Sequence, residues 1–136
     1  MSGYSATPLI QKLGYKPGFR VHVFHAPEHY PRYLGALPAD VIYSQRLITE
    51  LDLIHLFVTS QTELYQRLSR CLKYLKSNGA IWISWPKKSS RMVTDITEDV
   101  IRSIALPMGL VDIKVCAVDE VWSGLKLVIR RQLLDQ

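Results

Sequence analysis

The segment Trp85-Pro86-Lys87-Lys88-Ser89-Ser90 gathers an aromatic ring, a rigid bend, two ammonium groups and two hydroxyls. Such a set can hold a phosphate, a carboxylate or a nucleotide base. Thr94 and Asp95 follow closely. Asp95, Glu98 and Asp99 also stand at a predicted helix start, where carboxylates complement the positive pole. They compete with any external anion for Lys87 and Lys88. Two outcomes stay open: an anion pocket, or a crossover loop whose lysines pair with those acids.

A second constellation is His22, His25, Glu28 and His29. On a strand His22 and His25 point to opposite faces, because their separation is odd. His25 and His29 converge with Glu28 only if residues 26–29 turn into a helix. The result would be a two-His, one-carboxylate site. The spacing matches no standard metal motif, and no metal is expected. His55 sits mid-strand among apolar residues and reads as a satisfied core histidine. No G-x-S-x-G elbow is present. Cys71 and Cys116 lie on an apolar helix stripe and in a strand, so both read as packing. Asp119-Glu120-Val121-Trp122-Ser123-Gly124 is more elaborate than a minimal hairpin needs. Trp122 is expected to pack onto the sheet end, and with Asp119 it could also anchor an interface.

These residues need elements to position them. Thr7 suits a helix N-cap, Pro8 the first helical position and Gly14 the left-handed stop. Pro17-Gly18 turns the chain. Residues 19–25 and 41–43 read as strands; Pro27, Pro31 and Pro38 punctuate the stretch between, so any helix between residues 27 and 36 is short. Residues 51–59 are almost continuously apolar, as in a strand covered on both faces. Ser60-Gln61-Thr62-Glu63 matches a capping box. Leu64, Leu68, Cys71, Leu72 and Leu75 continue at helical spacing. Lys73 and Lys76 are expected in the last turn, and Ser77-Asn78-Gly79 ends the helix. Residues 80–85 form a fourth strand. Asp95 is the expected cap of a helix carrying Ile96, Val100, Ile101, Ile104 and Ala105, stopped by Pro107 and Gly109. Residues 111–118 and 125–130 are the last strands, with a turn around Trp122-Ser123-Gly124. They are antiparallel, because a short loop joins them.

Alternating strands and helices, with strands buried on both faces, predict an α/β fold with a doubly wound, mostly parallel sheet of about six strands. Right-handed crossovers suggest the order 2-1-3-4-6-5, ending in an antiparallel hairpin. This plan resembles a shortened, Rossmann-like class I methyltransferase core. In such sheets ligands bind beyond the carboxyl ends of the strands, at the switch point. Here that point comprises residues 25–29, with His25 and Glu28, together with Thr59, Ser60 and Gln61. A dinucleotide or adenosyl cofactor needs glycines after the first strand. No glycine lies between Gly18 and Gly35, and Pro27 lacks an N–H. Ser44-Gln45-Arg46, after the second strand, offers no acid for ribose hydroxyls. No cofactor is therefore expected.

Composition sets the outer limits. The 136 residues fit one domain spanning 1–136, with residues 1–18 as an N-terminal helical arm packed on it. Hydrophobic residues make up 48%, too many for a disordered chain. No apolar run approaches the roughly 20 residues of a membrane span. The N-terminus lacks the plan of a secretory signal. Two cysteines allow at most one disulfide, so a reduced, cytoplasmic setting is the simplest account. Net charge is +5, from 17 basic and 12 acidic residues. The dense basic cluster of Lys87, Lys88 and Arg91 has acids beside it, a weak phosphate-backbone footprint. Nucleic acid is not the expected partner.

Several segments carry a family resemblance. Gly3-Tyr4-Ser5, Thr7-Pro8-Leu9, Lys12-Leu13-Gly14 and Lys16-Pro17-Gly18 open it. Trp85-Pro86-Lys87-Lys88-Ser89, Thr94-Asp95-Ile96-Thr97-Glu98-Asp99 and Leu106-Pro107-Met108-Gly109-Leu110-Val111-Asp112 continue it. Lys114-Val115-Cys116-Ala117-Val118-Asp119 and Trp122-Ser123-Gly124-Leu125 close it. Together these segments resemble a bacterial family known as domain of unknown function 3052. The resemblance implies a bacterial, cytoplasmic protein with a methyltransferase-related sheet. It implies no reaction. It does single out Trp85, Lys87, Lys88, Thr94, Asp95, Asp119 and Trp122.

The expectation is a non-catalytic, methyltransferase-like domain. It would bind a partner or small anionic ligand through Trp85, Lys87, Lys88, Ser89, Thr94, Asp95, His25, Glu28, Thr59 and Ser60. Three alternatives stand beside it: an S-adenosylmethionine-dependent methyltransferase relative with an atypical loop, a nucleic-acid accessory protein, and a homo-oligomeric module. The oligomeric state is open.

Overall fold

A computed structural model describes residues 7–131. The Gly3-Tyr4-Ser5 segment and the first six residues of the expected arm lie outside the described residues. Four α-helices and three 3-10 turns aside, the fold rests on one six-stranded sheet. Its strands are β1 (Arg20–Phe24), β2 (Ile42–Ser44), β3 (Leu51–Phe57), β4 (Leu75–Pro86), β5 (Leu110–Ala117) and β6 (Trp122–Ile129). Their order is β2-β1-β3-β4-β6-β5, as the sequence predicts. Strands β2, β1, β3 and β4 run parallel, while β6 is antiparallel to both β4 and β5.

Four α-helices cover the two faces: α1 (Leu9–Leu13), α2 (Tyr30–Leu34), α3 (Gln61–Cys71) and α4 (Glu98–Ala105). The period-two alternation of β4 divides its side chains between them. Ile81, Ile83 and Trp85 join Leu64, Leu68, Ile101 and Ala105 under α3 and α4. Ala80 and Trp82 join Leu13, Tyr15, Tyr30 and Leu34 under α1 and α2. The arm is fastened by a hydrogen bond from the buried Trp82 Nε1 to the Leu13 carbonyl, 2.9 Å.

Element ends differ from the sequence reading in four places. Pro8, not Thr7, is the cap of α1, and its carbonyl accepts the Gln11 and Lys12 N–H groups. Gly14 is the left-handed stop, φ 86°. The third helix ends at Cys71, a 3-10 turn covers Leu72–Tyr74, and β4 already begins at Leu75. Lys76, Ser77, Asn78 and Gly79 are thus strand residues. Gly79 serves close approach rather than a helix stop: a Cβ there would lie 2.9 Å from the Leu51 carbonyl oxygen. The last strand starts at Trp122, so the turn occupies residues 119–121.

The fourth difference concerns Asp95. Thr97 caps α4, accepting the Val100 N–H at 3.2 Å. Asp95 instead accepts the Gln61 N–H at 2.8 Å, while the Gln61 side-chain amide donates to the Asp95 carbonyl. A carboxylate between two helix starts serves whichever exposes its orphan N–H groups toward it.

Candidate functional site at the carboxyl edge of the sheet

The strand ends β1, β3 and β4 point to one edge, where three groups of side chains meet solvent. The first follows β1. His25 adopts the left-handed region, φ 55°, and its ring stacks on Phe24 with centroids 3.8 Å apart. The Arg67 guanidinium, from α3, lies 4.0 Å from the centroid of the same Phe24 ring. His25 Nδ1 is 3.6 Å from Glu63 Oε2. The crevice beyond β1 therefore holds the chain's own side chains, drawn together by stacking and cation–π attraction.

The second group surrounds the start of α3. Ser60 Oγ accepts the Glu63 N–H at 3.1 Å. The Glu63 carboxylate accepts from Thr59 N–H, one residue earlier than a capping box requires. Thr94 Oγ1 donates to the Thr59 carbonyl at 2.7 Å and accepts the Ile96 N–H. Thr59, Ser60, Thr94 and Asp95 are thus brought together. Their polar atoms serve to lash residues 94–96 to the α3 terminus.

The third group lies at the ends of β4 and β6. Asp119 is only 5% exposed. Its Oδ1 accepts the N–H groups of Val121 and Trp122, and its Oδ2 lies 3.0 Å from His29 Nε2. The Lys87 N–H donates to the Val121 carbonyl at 2.7 Å. The segments 85–91, 119–122 and 29 form one hydrogen-bonded rim. Trp122 stands edge-on to Phe57, centroids 5.2 Å apart, and so packs on the sheet end. Trp85 is 8% exposed within the core. It offers no open aromatic face, because the alternation of β4 turns it toward α3 and α4. Lys88, Ser89 and Arg91 are exposed, and Arg91 is left-handed. Glu28 is exposed and enters no ion pair among the described residues.

Each of the acids near Lys88 makes a contact of its own. Glu98, Asp99 and Asp112 all face Arg102, with N···O distances of 3.5, 3.0 and 3.0 Å. Asp95 holds Gln61. The histidines do not converge: His25 goes to Glu63, His29 to Asp119, and His22 to the Ser44 carbonyl. Among the described residues no group of three or more His, Cys, Asp or Glu side chains is placed to hold a metal ion.

Beneath the rim runs a buried chain that sequence reasoning missed. Tyr15 Oη meets Tyr30 Oη at 3.0 Å, Tyr30 Oη meets His55 Nδ1 at 2.9 Å, and His55 Nε2 meets Ser84 Oγ at 2.7 Å. Burial lowers the His55 pKa to about 3, so its ring is neutral and both nitrogens are satisfied by hydroxyls. Burial likewise raises the Tyr15 and Tyr30 pKa values. Burial pushes the Cys71 thiol up to about 11, consistent with a packing role.

Comparison with known proteins bears on the scaffold. A SAM dependent methyltransferase from Aquifex aeolicus superposes with a TM-score of 0.60 at 15% identity, covering 89% of this chain and 87% of that one. The fold is methyltransferase-like. TrmN from Thermus thermophilus superposes with a TM-score of 0.58 at 12% identity over 89% of this chain. The chain spans 47% of the TrmN chain, less than half its length. Magnesium protoporphyrin IX methyltransferase from Synechocystis, solved with bound SAH, gives 0.57 at 13% identity, covering 84% and 74%. No family model matches the chain, and no curated protein does. No helix among the described residues is long and apolar enough to cross a membrane.

Proposed function

We propose that this methyltransferase-like domain is a binding module rather than a methyl-transfer enzyme, and that it takes an anionic ligand or partner at the rim around Lys87, Lys88, Ser89 and Arg91. One observation carries the reading. Glu98, Asp99 and Asp95, the neighbouring acids, are held by Arg102 and Gln61. Lys88 and Arg91 enter none of the ion pairs among the described residues and face solvent. Their positive charge is left for an external anion.

Three features count against an adenosyl cofactor in the crevice. The loop after β1 has no glycine for close backbone approach, and Pro27 removes a donor. No acid follows β2 to hold a ribose. His25, Phe24 and Arg67 fill the space beyond β1. The residues present do not fit the group, and no step is derived through it. The fold favours a second reading, a methyltransferase relative with a rebuilt loop, which requires those side chains to swing away. Membership of the domain of unknown function 3052 family is part of the proposal and rests on the sequence segments quoted above.

The test is a thermal-shift screen of nucleotides, phosphorylated metabolites and polyanions, repeated on Lys87→Ala with Lys88→Ala. A ligand at 100 times its dissociation constant adds about 2.7 kcal/mol. A shift lost in the double variant is expected. No shift with any ligand, or one indifferent to the variant, contradicts the reading.

A further inference from the structure

A second concentration of charge lies away from this rim, on the face covered by α1. Lys114 on β5 and Lys126 on β6 stand directly opposite each other. Like charges so placed oppose folding. Lys114 has a local role: its Nζ donates to the Lys12 carbonyl at 3.3 Å, one of the carbonyls left over at the end of α1. The neighbouring Leu13 carbonyl is already taken by Trp82. Among the described residues nothing similar holds Lys126. Its ammonium lies 3.6 Å from where a Cβ on Gly14 would stand, which places it against the turn after α1.

The surroundings of Lys126 are cationic. Its half-buried ammonium has a lowered pKa through burial and the charges of Lys114 and Lys16. Lys12 and Lys114 both act on Cys116, two residues along β5 from Lys114. None of the ion pairs among the described residues includes any of these four lysines. The carboxylates in those pairs belong to His25, His29, Lys76 and Arg102.

We propose that Lys114 and Lys126, which face each other across β5 and β6 beside the turn after α1, form with Lys16, two residues beyond Gly14, a binding site for a phosphate or diphosphate group of a small molecule. A multiply charged anion placed between the three ammonium groups offsets their mutual repulsion. Ammonium groups act there as compact point charges. The charges gather at one turn, bounded by Gly14 and the end of α1, instead of forming a stripe along the surface. That arrangement suits a single phosphate group better than a continuous nucleic-acid backbone. The site is independent of the rim, and either can fail without the other.

The probe is inorganic pyrophosphate, titrated calorimetrically at low ionic strength into the full chain carrying Lys88→Gln and Arg91→Gln, so that the rim proposed above contributes no heat. One-to-one binding is expected, weakening steeply with salt. Lys126→Gln should weaken it about tenfold or more. Arg70→Gln with Lys73→Gln, exposed positions in neither charge cluster, should leave it unchanged. Lys16→Gln with Lys114→Gln, both exposed positions, serves if Lys126→Gln does not fold, and the same loss is expected. In parallel, NMR titration of the lysine side chains should show pyrophosphate raising the Lys126 pKa. No heat at millimolar pyrophosphate overturns the site. So does binding that survives both sets of substitutions, or binding of heparin without pyrophosphate.

Discussion

His29 Nε2 lies 3.0 Å from Asp119 Oδ2, across 90 residues of sequence. The pair ties the loop after β1 to the β5–β6 turn, and the buried carboxylate also receives two N–H groups from that turn. Asp119→Ala should therefore cost about 2–3 kcal/mol, since it orphans turn donors as well as the imidazole. His29→Ala removes that partly exposed contact and an edge-on ring contact with Tyr33, and should cost about 1 kcal/mol or less. Urea denaturation of both variants, with unchanged m-values, checks the ranking.

Asp95 joins two helix starts that the sequence reading kept apart. Asp95→Ala frees the Gln61 N–H and loosens residues 94–96 from α3. A loss of about 1 kcal/mol is expected, the usual cost of a missing cap. Faster amide hydrogen exchange should be confined to the first turn of α3. An unchanged exchange rate at Gln61 would refute the assignment.

How far these features were legible follows from their range. Strand order and burial were readable because period-two and helical spacing act over a few residues, as in Ile81–Trp85 and Leu64–Cys71. The Ser60 cap was local and was found. The Asp95 bond, the His29–Asp119 pair and the Tyr15–Tyr30–His55–Ser84 chain join residues 34, 90 and up to 69 positions apart in sequence. No spacing rule connects such partners. Trp85 looked like a ligand platform because composition shows an aromatic beside lysines, whereas the strand register turns its ring inward.

Gly79 was read as a helix stop, and its real role is steric. Gly79→Ala would put a Cβ 2.9 Å from the Leu51 carbonyl oxygen and 3.1 Å from that of Asp52. The strand backbones must part to admit it. A destabilisation of about 1–3 kcal/mol is expected by thermal melting. Wild-type stability in this variant would mean that β3 and β4 are not so closely apposed.

The neutral His55 makes folding pH-dependent. Its folded pKa, about 3, lies below the ordinary 6.5. Between these values the unfolded chain binds the extra proton, so stability is full above pH 6.5 and is lost as pH falls toward 3. At pH 5 the loss from this residue alone should be about 2 kcal/mol. His55→Asn should shrink the difference between urea midpoints at pH 7 and pH 5. An undiminished difference would place the pH dependence in other groups.

The decisive test concerns the crevice beyond β1, where Phe24, His25 and Arg67 are stacked together. Calorimetric titration of the full chain with S-adenosylmethionine measures directly whether that space admits an adenosyl group. The account predicts no binding isotherm at millimolar ligand. Saturable binding, abolished by substitution at Phe24 or His25, would contradict it.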